Sequence, residues 1–170
     1  MRLSKQIVLA AALALSACGG VQTRHGAAEG VREFFVAVQT NDRDAFEAHI
    51  DRDALRESLK TELRASASGC EGELLDRLLT GGGGDALLDA MITPQSFKLA
   101  AERSGAAMRR TPSAVEVAAM LKMEGEDRAC LRNPGQDACV MTFERAGEVW
   151  KLVALQGSQV QVRASDSASG

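Results

Sequence analysis

The hydrophobic pattern of this chain changes once, from a helical period to a two-residue alternation. Upstream, a helix is predicted to begin near Ala27, and its apolar stripe at i, i+3, i+4 and i+7 consists of Val31, Phe34, Phe35 and Val38. Downstream, apolar and polar residues alternate from residue 115 to 123. Because helices come first and antiparallel strands follow, the sequence predicts an α+β domain with N-terminal helices packed on a sheet of about four strands.

Acidic residues mark the starts of the next helices. Asp42 is placed to cap a second helix, and Asp51 or Asp53 a third. Leucines spaced along one face predict a further helix over residues 73–80, and the four glycines at 81–84 are expected to form a flexible connector without regular structure.

Four strands are predicted in the second half of the chain. A hairpin turn at residues 145–148 separates the last two, and residues 159–162 are a candidate extension of the last one. The predicted strands cover residues 115–123, 126–132, 139–143 and 149–155.

The N-terminal segment has the three zones of an export signal. Arg2 and Lys5 precede an uncharged apolar run over residues 7–15, which is about half the roughly 20 residues that span a bilayer. Its end, Leu-Ser-Ala-Cys at residues 15–18, resembles the lipobox of bacterial lipoproteins. That resemblance implies a signal peptide over 1–17 and acylation of Cys18; an ordinary secretory signal with a cysteine near its end is the alternative.

The lipoprotein resemblance also implies a location. Two or three acyl chains on one residue make release from the membrane negligible, since each buried methylene contributes about 0.8 kcal/mol. The mature chain would face the periplasm from a membrane, and Gly19 in place of Asp favours the outer membrane if the source is Gram-negative.

Charge and local composition divide the mature chain and limit its partners. Residues 18–26 are expected to be a tether, 27–163 a single domain and 164–170 a disordered tail. Removing the two basic residues of 1–17 leaves 18 basic and 23 acidic residues, a net charge of −5. This acidic balance argues against a nucleic-acid partner.

With Cys18 acylated, three cysteines remain. Cys130 and Cys139 flank a turn-forming run and are predicted to form a disulfide, which leaves Cys70 as a free thiol or an intermolecular partner. Zinc is the competing interpretation, but the chain has no Cys-x-x-Cys pair and only two histidines. No metal or other cofactor is therefore predicted.

Two passages resemble the nuclear transport factor 2-like superfamily. Residues 31–42, Val-Arg-Glu-Phe-Phe-Val-Ala-Val-Gln-Thr-Asn-Asp, are similar to its opening helix pair. Residues 143–152, Phe-Glu-Arg-Ala-Gly-Glu-Val-Trp-Lys-Leu, are similar to its closing hairpin. The resemblance implies a strongly curved, cone-like sheet wrapped over the helices around a cavity.

The chain also resembles an uncharacterised bacterial family of secreted or membrane-anchored proteins of unknown function. The similar segments are Asp-Arg-Asp-Ala-Leu-Arg-Glu-Ser-Leu-Lys at residues 51–60, the glycine run 81–84, and Met-Ile-Thr-Pro at 91–94. The family's aromatic-proline pair before Ala-Leu-Arg is replaced here by Arg52-Asp53. This resemblance implies no known activity.

Three residues are candidates for ligand binding. His49 shares a helical face with apolar residues, so a structural role is weighed against catalysis. Arg56 and Lys60 lie four residues apart and could receive an anion, or they could belong to a solvated mixed-charge face. Asp51 and Asp53 are interpreted as helix caps rather than an acid–base pair.

These observations leave two main hypotheses. The first is a lipid-anchored, non-enzymatic binding or scaffolding domain with an envelope protein as partner. The second is a carrier or enzyme whose cone-shaped cavity takes a small apolar ligand; steroid-isomerising relatives in that superfamily use a tyrosine, and this chain has none. Structural help to an envelope assembly differs from the first hypothesis only in its partner.

Overall fold

The computed structural model describes residues 3–67, 70–103, 110–133 and 135–156. Helices precede strands throughout, and this order confirms the predicted α+β class. The helices are α1 (Leu3–Thr40), α2 (Arg43–Ala48), α3 (Arg52–Ser66), α4 (Cys70–Thr80), α5 (Gly84–Met91), α6 (Pro94–Arg103) and α7 (Ala114–Met120). The strands are β1 (Leu121–Met123), β2 (Arg128–Arg132), β3 (Cys139–Ala146) and β4 (Val149–Leu155).

The four strands form one antiparallel sheet in the order β1-β2-β3-β4. Sequential neighbours pair throughout, so short turns suffice to connect β1 to β2 and β3 to β4. The pairing register shifts twice, between Leu131 and Arg132 on β2 and between Thr142 and Phe143 on β3. Such irregularities bend a strand and change the direction of the side chain beside them.

The segment between α2 and α3 covers the outer edge of β4. The Leu152 amide donates to the His49 carbonyl and the Asp51 amide donates to the Leu152 carbonyl, both at 2.9 Å. Farther along, the Ser58 hydroxyl of α3 lies 3.1 Å from the Leu155 carbonyl and accepts from the Leu155 amide at 3.0 Å. These bonds satisfy backbone groups that an exposed edge strand would otherwise offer to another chain.

The centre of the core is a cluster of phenylalanine rings. Phe34 of α1 is fully buried, and its ring centroid lies 5.6–5.7 Å from the centroids of four other rings. Two of the contacts join α1 to α2 and α6 through Phe46 and Phe97, and a third joins it to β3 through Phe143. The predicted apolar stripe of the first helix therefore faces the sheet, as its spacing indicates.

Helix α1 extends farther towards the N-terminus than the sequence pattern predicts. It begins at Leu3 rather than near Ala27, because the alanines and leucines before Cys18 are strong helix formers. Residues 18–26 are thus helical in the structure, although a tether was expected there. In the described part of the chain, no helix combines the length and the hydropathy needed to cross a membrane.

One predicted strand is wrong. Residues 114–120 form α7, and only residues 121–123 of the expected strand are extended. The reason is a capping box: the Ser113 side chain accepts from the Glu116 amide, and the Glu116 carboxylate accepts from the Ser113 amide. The backbone amides of Ser113 and Glu116 are therefore satisfied where α7 begins, and this local preference prevails over the alternating pattern.

Two smaller differences concern the glycine run and the C-terminus. Gly84 is the first residue of α5, so only residues 81–83 of the run lie outside regular structure. Side chains cannot be accommodated at Gly84, where a Cβ atom would lie 2.5 Å from the Leu79 carbonyl oxygen. The predicted strand extension at 159–162 and the tail 164–170 lie outside the described residues.

Candidate functional site

His49 fastens the end of α2 to α1 and β4. Its Nδ1 atom lies 3.3 Å from the Trp150 carbonyl oxygen, and its Nε2 atom lies 3.4 Å from the Glu33 carboxylate. Because a carbonyl oxygen can only accept, Nδ1 carries the proton of this contact. The imidazole is 12 % exposed, and both of its nitrogens face groups of the chain itself.

The side chains of Arg56 and Lys60 point to α5 and are paired there. Arg56 lies 2.9 Å from carboxylate oxygens of both Asp53 and Asp89. Lys60 lies 2.9 Å from the Glu57 carboxylate and 3.0 Å from that of Asp85. The hydrogen bond that Arg56 donates to Asp89 raises the pKa of Arg56, and those that Lys60 donates to Glu57 and Asp85 raise the pKa of Lys60. The proposed anion-binding role of this pair stays a prediction; in the structure its charges are neutralised.

Asp89 is the centre of this polar contact, because it also pairs with Arg52. The Arg52 guanidinium donates to Asp89 at 3.1 Å and makes a second ion pair with Glu47. Partial burial acts to raise the pKa of Asp89, but the hydrogen bonds from Arg52 and Arg56 outweigh it and lower the pKa from its ordinary value. The hydrogen bond to Glu47 raises the pKa of Arg52. Helices α2, α3 and α5 are held together by these charges.

Of the acidic residues interpreted as caps, Asp42 and Asp51 do cap helices. The Asp51 side chain accepts from the Ala54 amide at 3.0 Å, and the Asp42 side chain accepts from the Ala45 amide at the same distance. Asp53 lies in the first turn of α3, where it pairs with Arg56. None of these carboxylates lies within a described contact of His49, so the predicted candidates do not form one cluster.

Arg24 docks α1 against the C-terminal end of α7. Its Nη2 atom donates to the Ala118 carbonyl at 2.6 Å and to the Leu121 carbonyl at 3.1 Å, and its Nε atom also donates to Ala118. A guanidinium is favourable at this position, since the last carbonyls of a helix lack intrahelical donors and carry partial negative charge. A residue of the expected tether thus makes a specific contact with the domain.

A depression of about 350 Å³ lies beside this docking point. Its lining includes Ala119 and Met120 of α7, Arg132 of β2 and three polar residues of the connection from β2 to β3. Those three residues are Asn133, Gln136 and Asp137.

A disulfide closes the connection that lines the depression. Cys130 and Cys139 are bonded, with their Cα atoms 5.5 Å apart, which confirms the predicted pair. In the chain-entropy account such a short bridged loop contributes about 2–3 kcal/mol. Pro134, which belongs to the turn predicted between the cysteines, lies outside the described residues, as do the side chains of Cys18 and Cys70.

Metal-ligating side chains are not gathered in the part of the chain that the structure describes. No group of three or more His, Cys, Asp or Glu residues there could hold a metal ion. His49 lies inside the fold, and the carboxylate it contacts there is that of Glu33.

Sequence reasoning missed Arg24, Asp89 and Arg132. Arg24 was recognisable, because it lies seven residues before Val31, or about two turns, and so falls on the face of α1 that carries the apolar stripe. Asp89 and Arg132 carry no comparable signal. The partners of Asp89, Arg52 and Arg56, lie 37 and 33 residues away in the sequence.

In a comparison with known proteins, part of the chain matches a family of unknown function. Residues 25–100 match the model of a family described as Protein of unknown function (DUF2939). This match agrees with the predicted resemblance to an uncharacterised family, whose similar segments lie within the matched range. It ends before β1, so the sheet lies outside it. Neither a curated protein nor a solved structure matches the chain, and the nuclear transport factor 2-like resemblance stays a prediction.

Proposed function

We propose that this chain is a lipoprotein held at a membrane by acyl chains on Cys18, with a non-enzymatic binding or scaffolding domain that faces the periplasm. The observation that carries the anchoring is the Leu-Ser-Ala-Cys run at residues 15–18. An envelope protein is the proposed partner, and the outer membrane is the proposed location if the source is Gram-negative.

The position of Arg24 supports an anchor at Cys18. The two residues lie on the same helix, six positions apart, which corresponds to about 9 Å at the rise of an α-helix. Because Arg24 is bonded to the end of α7, acyl chains on Cys18 would hold that end of the domain close to the membrane surface. The anchor would therefore set both the distance and the orientation of the domain.

The packing of the core supports a binding surface rather than an internal ligand site. The space between α1 and the sheet is occupied by the chain's own rings, with Phe34 in contact with Phe46, Phe97 and Phe143. A small apolar ligand would have to displace these contacts. Most of the side chains that line the depression beside α7 are polar, which also makes it poorly suited to an apolar molecule.

Acylation is tested by metabolic labelling with an alkyne fatty acid in a Gram-negative host. We expect the label on the full chain and on the Cys70→Ser variant, and no label on Cys18→Ser. Cys70→Ser is the matched control because it removes a thiol without touching the lipobox-like run. Label that persists in Cys18→Ser, or an unlabelled wild-type chain, would contradict the anchor.

The absence of an internal ligand is tested by native mass spectrometry of the exported chain under non-reducing conditions. We expect the mass of the acylated polypeptide less two hydrogens for the Cys130–Cys139 bridge. An additional mass that is lost on gentle activation, and that survives exchange into fresh detergent, would support the carrier hypothesis instead.

A further inference from the structure

We propose that the outward face of helix α4 binds a second copy of this chain, with the two α4 helices antiparallel about a two-fold axis. This α4 face has Leu74 and Leu78 at its centre and Glu73 and Arg77 along one side. The contact itself needs only the folded domain, whereas its use at a membrane rests on the proposed anchoring at Cys18.

The centre of the α4 face is apolar and exposed in the single chain. Leu74 and Leu78 lie four residues apart and are therefore neighbours on one side of the helix, and each is exposed over 62 % of its surface. The side of α4 that faces the fold carries Leu79, which is buried, and Leu75, which packs partly against the core. The leucines of this helix thus form two pairs, one that packs inward on the domain and one that points away from it.

The charges beside these leucines are arranged for an antiparallel partner. Glu73 and Arg77 lie one turn apart on the same flank, with side chains 70 % and 74 % exposed, and the Arg77 guanidinium donates to the Glu73 carboxylate at 2.8 Å. When two helices pair antiparallel about a two-fold axis, the same flank of each faces that of the other in the reverse direction, so Glu73 lies opposite the partner's Arg77 and Arg77 opposite the partner's Glu73. A parallel pair would bring this flank against the other flank of the partner helix, and the reciprocal ion pairs would be lost.

One register satisfies both the apolar and the charged contacts. The midpoint of Leu74 and Leu78 is residue 76 and that of Glu73 and Arg77 is residue 75, so an axis that pairs Leu74 with the partner's Leu78 also brings the charges opposite each other. The ion pair within each chain does not have to break, because a carboxylate accepts through two oxygens and a guanidinium donates through five N–H groups. Each Glu73 carboxylate would lie between two arginines, its own and the partner's.

The charge of α4 favours a second copy over a lipid surface as the occupant of this face. The helix has three acidic residues and one basic residue. Helices that lie on a bilayer carry lysine and arginine on their polar face, because lipid headgroups include anionic ones. An anionic surface would repel α4, whereas a flank with one acid followed by one base is complementary to itself in the antiparallel arrangement.

The size of the α4 face indicates a weak and reversible dimer. Helix α4 has 11 residues and is about 16 Å long, so it cannot by itself bury the roughly 800 Å² per partner of a standard interface. We therefore expect a dissociation constant on the order of 10 µM. Chains anchored at one membrane are confined to a thin layer, and this confinement raises their effective concentration, so a weak contact is sufficient there.

The test is sedimentation equilibrium of the purified full chain in an uncharged detergent whose density matches that of the solvent. Micelles are kept in large excess over protein, so that two chains do not share a micelle by chance. We expect a reversible equilibrium between monomer and dimer as the protein concentration passes through the dissociation constant, because an isologous contact closes on itself.

Two charge reversals test the antiparallel arrangement. Glu73→Arg places four positive charges at the contact and Arg77→Glu places four negative ones, so we expect each variant alone to dimerise about tenfold more weakly than the wild type, or worse. In an equimolar mixture of the two variants, every arginine lies opposite a glutamate of the partner, and heterodimers should form about as tightly as the wild-type dimer does. Recovery in the mixture also shows that both variants are folded.

A variant with both Leu74→Ala and Leu78→Ala tests the apolar centre, and we expect it to dimerise at least about tenfold more weakly than the wild type. Val115→Ala is the matched control, because it removes an apolar side chain that is 79 % exposed on α7, and it should dimerise as the wild type does. Both leucines are exposed in the single chain, so their loss should leave the unfolding midpoint in urea unchanged when dilute, monomeric protein is measured.

A wild-type chain that stays monomeric at every concentration overturns the proposal, and labelling of α4 by a photoactivatable lipid in vesicles would then assign the face to a lipid surface. A dimer that the charge reversals or the double alanine variant leave unchanged also overturns it, since association would then use another surface. If circular dichroism shows that both reversals are folded, a mixture that fails to dimerise excludes the antiparallel arrangement; if a reversal does not fold, the wild type and the double alanine variant still decide. Acylation of Cys18 is measured separately by the fatty-acid label, so failure of the α4 contact and failure of the anchor are distinguishable.

Discussion

The contact between α1 and the sheet and the contact between α3 and α5 differ in the kind of side chain that forms them. The first is apolar and closed, with Phe34 and Trp150 almost completely buried. The second is polar and partly open, and its central carboxylate, Asp89, remains 40 % exposed. We infer that the first contact accounts for most of the stability of the domain, because burial of apolar area contributes far more than solvent-screened ion pairs do.

The two contacts also differ in what they leave uncovered. Helix α4, which follows α3, has Leu74 and Leu78 exposed over 62 % of their surface, whereas the apolar residues of α1 from Ala27 onwards face the core. The charged contact between α3 and α5 therefore has beside it a helix, α4, whose own apolar residues are incompletely buried. The experiments below compare the two contacts, beginning with the largest expected effect.

Substitution of Phe34 by alanine should break the apolar contact. Loss of a buried ring that touches four others leaves a cavity between α1, α2, α6 and β3, and we expect a loss of about 3–5 kcal/mol in the free energy of unfolding. Urea denaturation followed by Trp150 fluorescence measures it. Leu74→Ala is the control at an exposed helical position and should change stability by less than about 0.5 kcal/mol. Equal losses for both variants would show that the core is not centred on Phe34.

Substitution of two glycines of α1 by alanine should change the stability of the domain in opposite directions. A Cβ atom at Gly30 would lie 2.8 Å from the Trp150 Cβ atom, so the helix or the strand must move, and we expect a net loss of about 1–3 kcal/mol. At Gly26 the nearest described atom, Trp150 Nε1, is 3.9 Å away. There the higher helix propensity of alanine should raise stability by about 0.5–1 kcal/mol.

Paired urea titrations of Gly30→Ala and Gly26→Ala measure this difference, and each variant is the control for the other. The sign of the change in the free energy of unfolding distinguishes the two sites. Both substitutions add the same methyl group to the same helix, one turn apart. A gain of stability at Gly30 would mean that α1 and β4 are less closely packed than the structure indicates.

The apolar contact could be predicted from the sequence in large part, and the polar one could not. The stripe from Val31 to Val38 and the alternation in β3 and β4 specify which faces are buried, because hydrophobic periodicity is a property of neighbouring residues. The partners of Arg56 and Lys60 on α5 are 25 or more residues away, and no local pattern indicates them.

The error at α7 has a different origin. The alternation from residue 115 to 123 is real, but Ser113 and Glu116 form a capping box that starts a helix, and this local signal was present in the sequence. Val115, which the alternation assigned to the buried face, is instead 79 % exposed. The lesson is that a cap at the start of a short segment can outweigh its hydrophobic period.

Substitution of Asp89 by asparagine should sharpen the comparison by removing the acidic centre of the polar contact. Arg52 and Arg56 lower the pKa of Asp89 below its ordinary value of 3.8, so the folded state favours the carboxylate more than the unfolded state does. The resulting stability is present at neutral pH and is lost as the pH falls through the lowered pKa. Solvent screening keeps the effect small, and we expect Asp89→Asn to lose about 1 kcal/mol at pH 7.

The pH dependence separates this contribution from a simple packing defect. Urea titrations of wild type and Asp89→Asn at pH values from 7 to 3 should give a difference that is constant above about pH 5 and shrinks below pH 4, because protonation then removes the same charge from the wild type. Asp76→Asn is the control, since Asp76 has one exposed partner, Arg64, and should give a smaller difference. If the difference in unfolding free energy between wild type and Asp89→Asn did not change with pH, the loss would come from packing. The contact between α3 and α5 would then not depend on charge.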